Sequence, residues 1–157
     1  MNFRVRFILI LALLIFLGVF QATLRGLHPA HNADQILYTE TATPLYLFVA
    51  DTEQEREKGL GDREPIKGDE GMLFVFSSPD LQGIWMKGMR FPLDILWLQK
   101  TGTGEFTVVD MRENIAPDTY PEVFFPRLKV SYVLELKGGS AGKYGIGEGS
   151  MLTETKK

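Results

Sequence analysis

Apolar positions along the chain fall into two regimes. The first is the unbroken run at residues 7–20, set behind a basic head of Arg4 and Arg6. The second begins at Ile36 and consists of short runs rich in aromatic and β-branched residues, each bounded by Gly, Pro, Ser or Asp. Runs of the second kind predict strands, here at 45–50, 72–76, 84–86, 93–98, 106–111 and 130–136, with strand-like pattern already starting at Ile36. Between the first two, Thr52 with Glu55 three residues on makes a capping box and Gly59 a terminator, so 53–58 is predicted as a short helix. Residues 61–71 read as a polar loop, Thr101-Gly102-Thr103-Gly104 as a hairpin loop, and 138–149 as a glycine-rich turn with a one-turn helix at 141–144. Pro117, Pro121 and Pro126 make 114–129 an irregular excursion over the surface. Seven or so strands with one or two short helices predict a mainly β fold, a compact antiparallel barrel or rolled sheet.

The first regime changes the picture of where the domain works. A basic head followed by a long apolar run is the layout of a secretory signal, so the chain is expected to be exported. Small residues suited to cleavage are poorly placed, at Phe20-Gln21-Ala22 or His31-Asn32-Ala33. Taken to Leu24, the run approaches the ~20 residues that span a bilayer, so residues 1–26 are read as a signal peptide or an N-terminal membrane anchor. The expected location is periplasmic or extracytoplasmic, either soluble after cleavage or held to the inner membrane through residues 7–24. Residues 27–42 then form a tether and the approach to the first strand, and 43–154 a single β-rich domain. The 157-residue length suits one domain.

Composition removes several chemistries. The net charge is −3, and without residues 1–26 it is near −6, with 14 basic against 20 acidic residues, which argues against a nucleic-acid partner. Cysteine is absent, so disulfides and thiol catalysis are excluded. Both histidines, His28 and His31, lie in the tether, so a Ser-His-Asp or Cys-His nucleophile system has no base in the domain. No P-loop, dinucleotide fingerprint or HExxH motif occurs, and neither a metal nor a cofactor is expected.

What remains is charge embedded in apolar surface. Among the carboxylates Asp69, Glu70, Asp94, Asp110 and Glu135, the first two read as loop residues, and Glu135, between Leu134 and Leu136, as a residue on a wet sheet face. Asp94 stands between Leu93 and Ile95 directly after Pro92, where a charge is costly unless paired or hydrogen-bonded. It is either a buried cap or ion pair, or a ligand-facing group. Alternation along Ile84-Trp85-Met86-Lys87 puts Trp85 and Lys87 on one face, either as a groove that stacks a sugar ring or holds an anion, or as a core Trp under a snorkelling Lys.

Five blocks in order, Glu55-Arg56-x-x-Gly59-Leu60, the stretch from Asp69-Glu70-Gly71 to Phe76, Trp85-Met86-Lys87, Pro92-Leu93-Asp94-Ile95-Leu96, and Tyr132 to Leu136 with Gly145-Ile146 beyond, resemble the domain of unknown function 192 family. The resemblance covers nearly all of 43–152. It implies a small, mainly β, single domain of bacteria or archaea that commonly carries a signal peptide or one membrane segment, and it implies no particular activity. This chain has Gly88-Met89 where the family pattern continues Trp-Met-Lys with Asn-Thr, and Gly61-Asp62-Arg63 where Met and a nearby Arg usually follow Gly-Leu.

The candidate site is therefore Arg56, Glu70, Trp85, Lys87 and Asp94, with Lys87 pairing with Asp94 or Glu70 at one end of the barrel and Trp85 as a wall. The leading expectation is a non-catalytic module that binds a small molecule, glycan or envelope component. A membrane-anchored accessory factor for an envelope assembly, docking through a patch such as Phe124-Phe125, is the second. A hydrolase or lyase using carboxylates and Lys87 is the third.

Overall fold

Strands with apolar side chains at both parities need a covering layer on each face, and the fold supplies both. The computed structural model describes residues 33–102 and 104–154. In chain order the elements are β1 (Gln35–Tyr38), β2 (Pro44–Ala50), α1 (Glu53–Lys58), β3 (Glu70–Asp80), β4 (Ile84–Trp85), β5 (Leu93–Gly102), β6 (Glu105–Ile115), a 3-10 turn (Pro117–Thr119), β7 (Val123–Phe124), β8 (Val130–Lys137), α2 (Ser140–Lys143) and β9 (Met151–Thr153). Seven strands close a barrel in the order β1-β2-β3-β8-β5-β6-β9, while β4 and β7 pair as a separate ribbon. The mainly β barrel with two short helices is the architecture the pattern predicts.

Some details depart from the expectation: β9, which the sequence pattern does not predict, closes the barrel between β6 and β1. The β2–β3 pair is parallel, with Tyr46 opposite Glu70 and Ala50 opposite Phe74. Parallel neighbours need a crossover, and the segment between them, which contains α1, provides it. The excursion after β6 is also less irregular than its prolines suggest. Val123 and Phe124 lie between the prolines at 121 and 126, keep their amides, and pair with Trp85 and Ile84.

Side-chain alternation splits the core in two. Leu37, Leu45, Leu47, Leu73, Leu96, Leu98, Phe106, Leu134 and Leu136 fill the barrel interior, where Ala141 of α2 and Ile146 join them. The opposite parity of the central strands, Met72 and Phe74 of β3, Ile95 and Trp97 of β5 and Val133 of β8, packs outside the barrel under Leu60, Ile66, Ile84, Met86 and Phe91. The buried Trp97 indole donates from Nε1 to the Gln82 carbonyl at 2.7 Å, which ties this outer layer to β5 just before β4.

Asp110 anchors the return from the excursion. Its side chain is fully buried and accepts from the Arg127 amide (2.8 Å), Arg127 Nε (3.1 Å), Arg112 Nη1 (2.8 Å) and the Met111 amide (2.9 Å). Burial pushes its carboxyl pKa up, but these donors outweigh burial and hold it below the ordinary value.

Gly71 lies where β3 is pressed between β2 and β8. A Cβ added there would stand 2.6 Å from the Glu135 carbonyl oxygen and 2.7 Å from Leu136 Cδ2. Backbone cannot retreat as a side chain can, so Gly71→Ala is expected to cost about 2–3 kcal/mol. A fall in thermal midpoint of less than about 3 °C would contradict this.

Among the described residues no helix is long and apolar enough to cross a membrane. The predicted signal or anchor at residues 7–24 lies outside the described residues.

Candidate functional site

The outer layer is open between α1 and the β4 segment, where a cleft of about 360 Å³ descends to the face of β8. Its first wall is α1. Thr52 accepts from the Glu55 amide while the Glu55 carboxylate accepts from the Thr52 amide at 3.1 Å, so the predicted capping box forms. Gly59 ends the helix at φ +51° with its amide on the Glu55 carbonyl. Arg56 is held in place because Nη1 donates to the carbonyls of Asp51 and Val75, and its guanidinium lies 5.3 Å over the Phe76 ring.

The second wall is the run Ile84 to Lys87. Ile84 and Met86 are buried while Trp85 and Lys87 are exposed, which is the alternation read from the sequence. Lys87 Nζ stands 5.3 Å over the Trp85 ring, and Tyr120 meets that ring edge-on at 6.2 Å. The walls join where the Asp62 amide donates to the Gly88 carbonyl at 2.9 Å. Gly61 passes so close that an added Cβ would be 3.2 Å from the Lys87 carbonyl oxygen. The two places where this chain departs from the family pattern are therefore in contact with each other, and both border the cleft.

Glu135 lies at the floor. It is 5% exposed, sits between Met72 and Ile95 on the neighbouring strands, and its Oε2 has no hydrogen-bond partner among the described residues. The expectation of a wet sheet face is corrected here. Glu135 does point away from Leu134 and Leu136, but the outer layer covers that face as well. Burial raises its pKa from 4.5 to about 8, so the group is mostly a neutral acid at pH 7. A sequence signal for this existed. Apolar residues at both parities of 72–76 and 93–98 mark strands covered on both sides, and a carboxylate on the strand between them has no wet face to occupy.

Of the five residues singled out from sequence, Arg56, Trp85 and Lys87 line this cleft. Asp94 and Glu70 lie elsewhere. Asp94 shares the inward parity of Leu96. It is completely buried and accepts from the amides of Asn114 (2.8 Å), Gly139 (3.0 Å) and Ala141 (2.8 Å). Gly139 has no side chain with which to cap α2, and Asp94 caps the helix from β5. Glu70 pairs with Lys67 at 3.3 Å and accepts its amide at 3.0 Å. The predicted pairing of Lys87 with Asp94 or Glu70 is thus replaced by contact with Trp85, because β5 turns Asp94 into the barrel while Lys87 stands above the outer layer. Among the described residues no group of three His, Cys, Asp or Glu side chains is placed to hold a metal ion.

A closed seven-stranded barrel with an outer apolar layer, opened by a ligand-sized cleft over a buried acid, defines a small β-barrel domain with one-sided access to its sheet. The chain belongs to the DUF192 family (Uncharacterized ACR), whose model matches residues 36–153. It is similar to a crystal structure of a candidate transcription regulator from Sinorhizobium meliloti 1021, at 32% identity and TM-score 0.66 over 74% of this chain and 88% of that one. A protein of unknown function from Novosphingobium aromaticivorans is similar at 28% identity and TM-score 0.65, over 80% of this chain and 89% of that one. No functionally curated protein matches the chain.

Proposed function

We propose that this protein is an exported binding domain that takes a small oxygen-rich ligand, a saccharide unit or similar envelope component, into the cleft beside α1. The observation that carries the reading is the Glu135 carboxyl group, buried and with Oε2 unpartnered at the floor of an aromatic-walled opening. A buried polar group left without a partner is costly, and Oε2, itself shut off from solvent, would gain the missing hydrogen bond if the carboxyl group turned toward a ligand seated against it. The cleft volume lies at the lower end of the ~300–1,000 Å³ typical of small-molecule sites. Export rests on the layout of residues 1–20. The regulator name of the Sinorhizobium relative does not extend to DNA binding here, because residues 33–154 carry twelve basic against twenty acidic residues.

The test is a thermal-shift screen of the purified protein against envelope sugars, with Trp85→Ala and Lys87→Ala alongside. A stabilising sugar is expected to raise the midpoint by several degrees in the parent and to lose most of that effect in both variants while they stay folded. A shift that survives both substitutions would place the ligand elsewhere.

A second reading, an accessory factor that docks a protein partner, is favoured by the exposed apolar residues Trp85, Tyr120, Val123 and Phe125 along the β4–β7 ribbon. Phe125→Ser separates the two, since it would abolish partner capture and leave sugar binding intact.

A further inference from the structure

We infer that the cleft selects an acidic sugar, whose carboxylate shares a proton with the Glu135 carboxyl group while Arg56 and Lys87 balance its charge. This deepens the ligand-binding reading and rests on it. The charges that line the cleft come from its two walls. From α1 come Glu53, Arg56, Glu57 and Lys58, and from the opposite turn comes Lys87. Met72 and Ile95, flanking Glu135 in the sheet, and Ile84 of β4 carry no charge. With Glu135 neutral, three cations stand against two carboxylates, an excess of positive charge on a domain whose overall charge is negative.

Ligand classes can be separated on this arrangement. A ligand ammonium would meet Arg56 and Lys87 already lying over Phe76 and Trp85, the aromatic faces it would use. A dianionic phosphate would face Glu53 and Glu57 with only one net positive charge to hold it. A monoanionic carboxylate matches the charge and also accepts a hydrogen bond from the neutral Glu135. Acid-to-carboxylate bonds of this kind are short and strong, since one proton serves two oxygens. Should Glu135 ionise, two carboxylates would meet in a buried place and the ligand would be repelled.

Titration calorimetry of the full-length protein with glucuronate and with glucose, at pH 7 and pH 9, tests the inference. These sugars differ at a single carbon, as carboxylate or alcohol. Glucuronate is expected to bind more tightly than glucose at pH 7 and to lose about tenfold in affinity at pH 9, following the protonated fraction of a group with pKa about 8. Glu135→Gln keeps a donor without an ionisable proton, so it should bind glucuronate within about threefold of the parent at pH 7 and lose the pH 9 penalty. Lys87→Met should weaken glucuronate about tenfold and narrow its advantage over glucose. Equal affinity for the two sugars, or a tenfold loss that persists in Glu135→Gln, overturns the acidic-sugar inference while the binding site stands. Absence of binding by both sugars overturns the inference and the reading beneath it.

Discussion

Asp94→Ala is expected to lower the free energy of unfolding by about 3–5 kcal/mol, much of the ~5–15 kcal/mol that holds a domain of this size together. Three backbone amides lose their acceptor at once; the Asp94 side chain is completely buried, and the Ala141 amide in particular is shut off from water that could replace the carboxylate. The damage spreads because the amides belong to different parts of the chain. Asn114 is the next-to-last residue of the long β6 strand, while Gly139 is the N-cap of α2 and Ala141 lies in its first turn and joins the barrel interior. Asp94→Asn has nearly the same shape, yet it turns an NH₂ toward one of these donors and is expected to cost about 2–3 kcal/mol. Urea unfolding followed by tryptophan fluorescence measures both. A loss below about 1 kcal/mol for alanine would show that the amides find other acceptors, and the capping role would fall.

The second large effect has the opposite sign. Glu135→Gln is expected to stabilise the protein by about 3 kcal/mol at pH 7, with a gain that depends on pH. Below pH 4.5 the Glu135 carboxyl holds its proton in both the folded and the unfolded chain, and ionisation contributes nothing. Between pH 4.5 and about 8 the unfolded chain releases the proton while the fold retains it, so rising pH favours unfolding. Stability contributed by this group therefore falls by about 1.4 kcal/mol per pH unit and levels off above pH 8. The gain in Glu135→Gln should be near zero at pH 4 and largest at pH 9. A gain of equal size at both pH values would mean that Glu135 is not held as a neutral acid.

Asp110 works in the reverse direction. Its folded pKa lies below 3.8, so the stability it contributes is present above that value and is lost as pH falls through the lower folded pKa. The contributions of these two groups are jointly largest near pH 4, above 3.8 and below 4.5. A domain that keeps an unpartnered acid at the floor of a cleft gives up stability there, and stability given up at a site is commonly the mark of function.

How far the sequence could be read depended on the range of the interactions involved. Strand positions, the Thr52–Glu55 cap and the Gly59 stop follow from neighbours within a few residues, and all appear in the fold. The pairing of Trp85 with Lys87 was legible for the same reason, since alternation is a property of one strand. The partners of Asp94 were not. Its donors come from 20, 45 and 47 residues away, and no local pattern distinguishes three backbone amides from an ammonium group.

The sequence by itself determined the class of fold, the family, all of the barrel's strands but β9, and the cleft wall that carries Trp85 and Lys87, because hydrophobic period and turn chemistry act along the chain. Only the tertiary structure decided that β2 and β3 run parallel, that a second apolar layer closes over the outside of the sheet, and that Glu135 rather than Asp94 stands at the floor of the opening. Those outcomes depend on which faces become covered when distant segments pack. Covering a face changes the state of every charge on it, and a residue's own neighbours in sequence carry no record of that.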